Sequence, residues 1–195
     1  LQIAALRDLD EIARRVTDLV LRTFDYYYVA IFTLETGQET LNFRANAGPS
    51  TATGEPAPIY APVSLGEGII GTVAQTGLEL LARDVSQEPR YRHLELLSET
   101  RSEIALPLIA QDRLLGVLDV QSDQPDDFDE MDLLVLRGLS GNIAIAIEGA
   151  QLYQDLRRRA VQLQTVYEVS RAIASILDQE QLLKEVVRLI RERFG

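Results

Sequence analysis

The sequence predicts an α+β fold in which one amphipathic helix, a group of antiparallel strands and a very long closing helix follow one another along the chain. Three observations carry that expectation. Between residues 3 and 24, Ile3, Leu6, Leu9, Ile12, Val16, Leu19, Val20 and Phe24 recur at steps of three and four, the signature of a helix with one buried stripe. The runs "YYYVAIFTL", "EIALPLIA" and "RLLGVLDVQS" concentrate aromatic, β-branched and aliphatic residues as strands do. From Asp129 to about Leu177 the apolar spacing is helical with almost no breaker.

The elements follow in order. After the first helix, Tyr26–Leu34 and Thr40–Asn46 flank the glycine-containing "ETGQET" and read as a β-hairpin. Residues 47–62 carry two glycines and four prolines, which makes them a loop with room for a short edge strand near 59–63. "SLGEGIIGTVAQTG" reads as a short helix closed by Gly77, "LELLARDV" as a short strand, and Ser86–Arg101 as a loop with a polar helix. Glu103–Ala110 and Arg113–Ser122, joined by the two-residue turn Gln111-Asp112, are apolar on both faces and suit the centre of a covered sheet. Asp126, Asp127, Asp129, Glu130 and Asp132 crowd the start of the last helix, where negative charge meets the positive end of the helix dipole. At ~1.5 Å per residue that helix reaches roughly 70 Å, so part of it is expected to project from the domain.

Composition narrows the function. The chain has 195 residues, 46% apolar and 25% charged, and a net charge of -11. Such a charge repels nucleic-acid phosphates and anionic lipid, so neither is expected as a partner. No unbroken apolar run approaches the ~20 residues of a membrane span, and a cytoplasmic location without membrane contact is the default expectation. With no cysteine there is no disulfide, no thiol nucleophile and no Cys-based metal site. Gly66-Glu67-Gly68-Ile69-Ile70-Gly71 matches neither a P-loop nor a dinucleotide fingerprint and is read as entry into a packed helix. The acidic cluster lacks the alternation of a calcium loop. His93, the single histidine, sits among Arg90, Tyr91 and Arg92 in a surface segment, which argues against haem ligation. No catalytic constellation emerges, and the chain is expected not to be an enzyme.

Along the closing helix, Leu152, Leu156, Leu163, Val166, Ile173 and Leu177 form an apolar seam, interrupted at Arg159 and Ser170. A seam of that kind calls for a partner helix, which a homodimer supplies, the alternative being a helix that folds back on its own domain. Residues 171–195 also align on residues 1–25 at a constant offset of 170. Ile173 falls on Ile3, Ala174 on Ala4, Asp178 on Asp8, Val186 on Val16, Leu189 on Leu19 and Phe194 on Phe24. Agreement in stripe, acidic cap and terminal phenylalanine points to a tandem repeat.

The stretches "GEGIIGTVAQTG", "ARDVSQEPRY", "SEIALPLIAQDRLLGVLDVQS" and "FDEMDLLVLRGLSGNIAIAIEGAQLY" resemble those of a GAF domain, the small-molecule sensor module of signalling proteins such as histidine kinases. The resemblance implies a PAS-related, six-stranded antiparallel sheet with helices on both faces and a long C-terminal signalling helix. It divides the chain into a GAF domain at 1–150, a coiled-coil linker at 151–178 and, at 179–195, the first helix of a second, truncated repeat. It further implies a two-component signalling protein, with the terminal helices on one face of the sheet and a ligand site on the other. Carried over by position, the site candidates are Arg83, Asp84, Tyr91, Ser102, Asp119 and Gln121, of which Asp119 and Gln121 share a strand face with Leu115 and Val117 by alternation. The effector stays unnamed. Without cysteine a covalent bilin and the sulfoxide-reducing chemistry of one branch are excluded, and Ser122-Asp123 in place of an Asn-Lys pair speaks against cyclic nucleotides. The implied function is a sensor that relays ligand binding through a dimeric helix; the alternative is a ligand-free dimerisation and relay module.

Overall fold

The computed structural model describes residues 2–35, 37–49 and 62–194. Its contacts divide the chain into two compact units, Leu1–Gln151 and Leu152–Gly195.

The first unit is built on one six-stranded sheet, antiparallel throughout. Its strands are β1 (Tyr28–Leu34), β2 (Thr40–Ala47), β3 (Val63–Ser64), β4 (Leu80–Ala82), β5 (Ser102–Ala110) and β6 (Arg113–Ser122), in spatial order β3-β2-β1-β6-β5-β4. The long, buried strands β1, β6 and β5 occupy the middle, while the edges are strands of two and three residues. Short edges leave little unpaired backbone to recruit another chain. The β5–β6 turn has Gln111 at φ 47° and Asp112 at φ 60°, the left-handed pair that a two-residue hairpin matched to strand twist requires.

Each face of the sheet carries its own core. On one face α1 (Gln2–Phe24) presents Leu9, Ala13, Val20 and partly Val16 and Phe24 to Val29, Ile31, Leu106, Leu118 and Val120. The opening part of α3 (Glu130–Phe194) adds Leu136, Ile143, Ala144 and Ile147 to the same cluster. The expected stripe of α1 is shifted at Leu19, which is 66% exposed, because Ala13 and Thr17 take the inward positions. The side chains of Ile3, Leu6, Leu177 and Phe194 lie outside the described residues, as does most of the edge strand expected near 59–63. On the other face α2 (Gly68–Thr76) lays Ile69, Ile70, Val73 and Ala74 against Tyr28, Ala30, Phe32, Ala105 and Val117. Two 3-10 turns, Val85–Gln87 and Glu95–Leu97, replace the polar helix expected between Ser86 and Arg101, and bury Val85 and Leu97 in that second cluster.

Register corrects one expectation. Leu108 pairs with Gly116 and Ile109 with Leu114, so Leu115 is an extra residue on β6. That bulge reverses the alternation upstream of it. Leu115 therefore joins the α1 face, while Val117 stays on the α2 face.

The acidic start of α3 is a cap. Asp129 Oδ1 accepts from the amides of Met131 (2.7 Å) and Asp132 (2.8 Å), and Asp132 Oδ2 accepts from the amide of Asp129 (3.0 Å). Side chain and backbone thus satisfy one another reciprocally, as in a capping box. Within Glu130–Ala174 a window has the length and mean hydropathy (1.4) of a membrane span. Asp132, Arg137 and Glu148 hide it from a search for unbroken apolar runs, and its buried residues include Leu136, Ile143, Ala144 and Ile147 of the first unit's core.

The second unit is the remainder of α3. Here Leu152, Leu156, Leu163, Val166, Tyr167 and Ile173 are all more than half exposed. Leu182, Val186, Leu189 and Ile190, assigned by the repeat to a new domain's first helix, are exposed too, and α3 runs past the expected boundary at 178/179 without interruption.

Candidate functional site

Polar side chains are rare in the centre of this sheet, and those present gather on the α2 face. Across the three middle strands Tyr28 is opposite Gln121, Glu103 opposite Gln121, and both Ala30 and Ala105 are opposite Asp119. Alternation therefore puts Tyr28, Glu103, Asp119 and Gln121 on one face, with Glu103 and Asp119 as diagonal neighbours. All four are at least 96% buried. The glycines of β6 and α2 bring the surrounding backbone close: a Cβ on Gly116 would lie 2.0 Å from Phe32 O, and one on Gly71 would lie 2.2 Å from Ser64 O.

A hydrogen-bond relay fixes the orientation of these groups. Thr100 Oγ1 donates to Gln121 Oε1 at 2.7 Å, and Gln121 Nε2 donates to Asp119 Oδ2 at 2.8 Å. The remaining oxygen, Asp119 Oδ1, and the hydroxyl of Tyr28 are buried without a hydrogen bond of good geometry, and the groups beside them are the Glu103 carboxyl and the Asn46 side chain. Burial without a good hydrogen bond is costly for any polar atom and more so for a charged one. The electrostatics record that cost. Burial first, then the charge of Asp119 beside it, pushes the Glu103 carboxyl well above the usual range. Burial likewise pushes Asp119 up to about 7, opposed by Gln121, which donates to it, and by Glu103. Tyr28 is raised by burial and by Asp119, and half-buried Tyr91 by burial and by the same two carboxylates. Two carboxyls that share one desolvated place hold a proton near neutrality.

The residues expected from sequence divide accordingly. Asp119 and Gln121 are in the cluster, and Tyr91 packs at its margin. Ser102 is fully buried but belongs to the opposite face, since it is one residue out of phase with Glu103, and its Oγ donates to Gln124 O at 2.7 Å. Arg83 is exposed and paired with Asp126. Asp84 caps the first 3-10 turn by accepting from the Ser86 amide at 2.9 Å, which holds its carboxyl below the usual range. The site gains Glu103, Tyr28 and Thr100. Glu103 had a legible signal, a lone carboxylate inside an otherwise apolar central strand. Thr100 and Tyr28 had none. His93 is exposed, and the described residues contain no group of three or more His, Asp or Glu side chains able to hold a metal.

An antiparallel six-stranded sheet, terminal helices on one face and a buried polar cluster under short helices on the other define a small α+β module. The model of the GAF domain family matches residues 7–148, and the chain belongs to that family. GAF domain-containing protein A of Dictyostelium discoideum is 33% identical over 117 residues, covering 60% of this chain and 67% of that protein. The free methionine-R-sulfoxide reductase of Saccharomyces cerevisiae is 34% identical over 40% of this chain and 43% of its own length. A circadian input-output histidine kinase of Thermosynechococcus vestitus is 37% identical over 40% of this chain but only 11% of the kinase. Among solved structures, the GAF domain of an Acinetobacter phosphoenolpyruvate-protein phosphotransferase superposes with a TM-score of 0.61 at 22% identity, covering 77% of this chain and 95% of that one. The chain thus carries a domain found in signalling proteins. The reductase corrects the expectation about catalysis in part, because the family includes an enzyme and membership alone does not exclude one.

Proposed function

We propose that this GAF domain is a non-catalytic sensor whose effector occupies the buried polar site under α2, and that a dimeric α3 carries the signal onward in a cytoplasmic histidine kinase of a two-component system. The observation that carries the sensing part is the pair of carboxyls, Glu103 and Asp119, buried side by side with the Tyr28 hydroxyl in the α2 face of the sheet. A domain selected only for stability would replace such groups with apolar ones at little cost. Reduction of a sulfoxide needs two electrons, and a chain without cysteine has no thiol to supply them. Ligand binding stabilises the folded state in proportion to occupancy, so a small-molecule library should contain compounds that raise the melting temperature of the wild-type domain. An Asp119→Leu variant that folds should lose those shifts. If no compound shifts the wild type, the domain is a ligand-free relay module. Sulfoxide turnover by the purified chain with dithiothreitol would overturn the non-catalytic reading.

A further inference from the structure

The chemistry of the site restricts its occupant, and the restriction rests on the small-molecule reading above. We propose that the site takes a small organic molecule through a primary ammonium group, seated between Glu103, Asp119 and the Tyr28 hydroxyl.

Three observations on the first unit lead there. Among the described residues, the charged side chains buried in this face are both carboxylates, Glu103 at 4% and Asp119 at 0% exposure. The groups facing them are neutral or acidic: Tyr28 from β1, Asn46 from β2, Gln121 from β6, Thr100 and Tyr91 from the preceding segment, and Glu88, whose charge also raises Glu103. Of the nearby arginines, Arg90 is paired with Glu88 and Arg92 with Glu67, and Arg101, beside Thr100, is exposed rather than buried with the carboxyls. An anionic occupant such as a phosphate or a carboxylate would meet like charge with no buried cation among the described residues to offset it. Second, the open valences are acceptors. Asp119 Oδ2 is already bound by Gln121, Asp119 Oδ1 faces only the Glu103 carboxyl, whose shared proton an ammonium would replace, and Tyr28 Oη, beside Asn46, keeps a lone pair to offer. A primary ammonium brings three donors and no acceptor, which suits two carboxylates and a phenol. Third, a divalent ion is disfavoured. It would need several further oxygen ligands, and the described residues form no metal-binding group.

Occupancy by an ammonium has a consequence that a neutral ligand lacks. An adjacent positive charge favours the ionised form of both carboxyls, so the proton held by the free pair is released to solvent on binding.

The test uses the chain of 195 residues and a defined set of probes: ethylamine to hexylamine and 1,4-diaminobutane, beside their N-acetyl amides, the matching carboxylic acids and magnesium chloride. Binding is read by two-dimensional NMR and by calorimetry at about pH 6.5, just below the value to which burial raises Asp119, in buffers of different ionisation heat. The expected result is saturable binding of the amines that perturbs the amides of Ala105, Asp119 and Gln121. It should be at least tenfold weaker in Asp119→Asn and in Glu103→Gln, with an apparent enthalpy that changes with the buffer as proton release requires. The amide spectrum of each variant shows whether it has kept its fold. Amides or acids binding as well as the amines, or magnesium in their place, would overturn the ammonium assignment and leave the sensor reading intact. Failure of every probe would overturn the ammonium assignment, and the sensor reading then stands or falls on the library screen alone.

Discussion

At the scale of the residue, the buried carboxyls decide how stability follows pH. An unfolded aspartate titrates near ~3.9 and an unfolded glutamate near ~4.3. In the fold Asp119 is pushed up to about 7 and Glu103 well above its ordinary value. Between those limits the native chain binds protons that the unfolded chain has released, so stability falls as pH rises through this window. The lowered carboxyls, Glu67, Glu79, Asp84, Glu88 and Asp129, act in the opposite sense, and their contribution is complete above about pH 5. The interval from about pH 5 to about pH 8 therefore isolates the pair. Urea unfolding should show the wild type losing stability steadily across it. Asp119→Asn removes one of the two charges while keeping the shape, and should flatten the slope and gain about 1 to 3 kcal/mol at the alkaline end. A wild-type profile that is level across the whole interval would contradict the assignment. The sequence disclosed half of this pair. Asp119 was legible because its strand resembles a family segment, whereas the position taken one place away from Glu103, Ser102, points through the other side of the sheet. A phase error of one residue reverses a strand's facing, and only the pairing of Glu103 with Gln121 settles the phase.

At the scale of the element, glycines of equal chemistry have unequal roles, and the difference was not legible without neighbours. Gly71 lies within the packed first turns of α2, its amide donating to Glu67 O at 3.0 Å while its carbonyl accepts from Gly66 N at 2.7 Å. A methyl group there would collide with backbone, the Ser64 carbonyl at 2.2 Å, which cannot move without opening the β2–β3 edge. Gly138, on an exposed position of α3, has nothing within 4 Å of the place a methyl group would take. Gly71→Ala should thus cost about 2 to 4 kcal/mol, the range of a forced shift in a packed core. Gly138→Ala should stabilise by about 0.5 to 1 kcal/mol, because it removes only the entropy penalty of glycine in a helix. Thermal unfolding of the two variants checks both signs together. The strands themselves were readable to the residue at β6, Arg113–Ser122, since a two-residue turn and a continuous apolar run leave little choice. The bulge at Leu115 was not readable, for it is set by how β5 and β6 align across the turn.

At the scale of the whole molecule, the open question is what covers the apolar residues of α3 beyond Gln151. Leu152, Leu156, Leu163, Val166 and Ile173 are 53% to 72% exposed in the single chain. A run of that length left to water is unusual for a monomer. Local pairs along the helix, such as Arg158 with Asp155 and Arg188 with Glu185, are each worth about a few tenths of a kcal/mol at an exposed site. An isolated helix with so little local support depends on burying its stripe. The same stripe on a second copy is the partner present at equal concentration, and a two-fold axis lets each residue meet its own counterpart. Light scattering should therefore give twice 21.8 kDa for the full chain. A chain ending at Gly149 should fall to the monomer mass, and so should the full chain with Leu156→Asp and Leu163→Asp, whose charges would be buried against their own copies. Circular dichroism separates loss of pairing from loss of the first unit, because that unit keeps its strand signal in both cases. A dimer that survives truncation at Gly149 would place the main interface on the first unit and leave the stripe of α3 for a different protein.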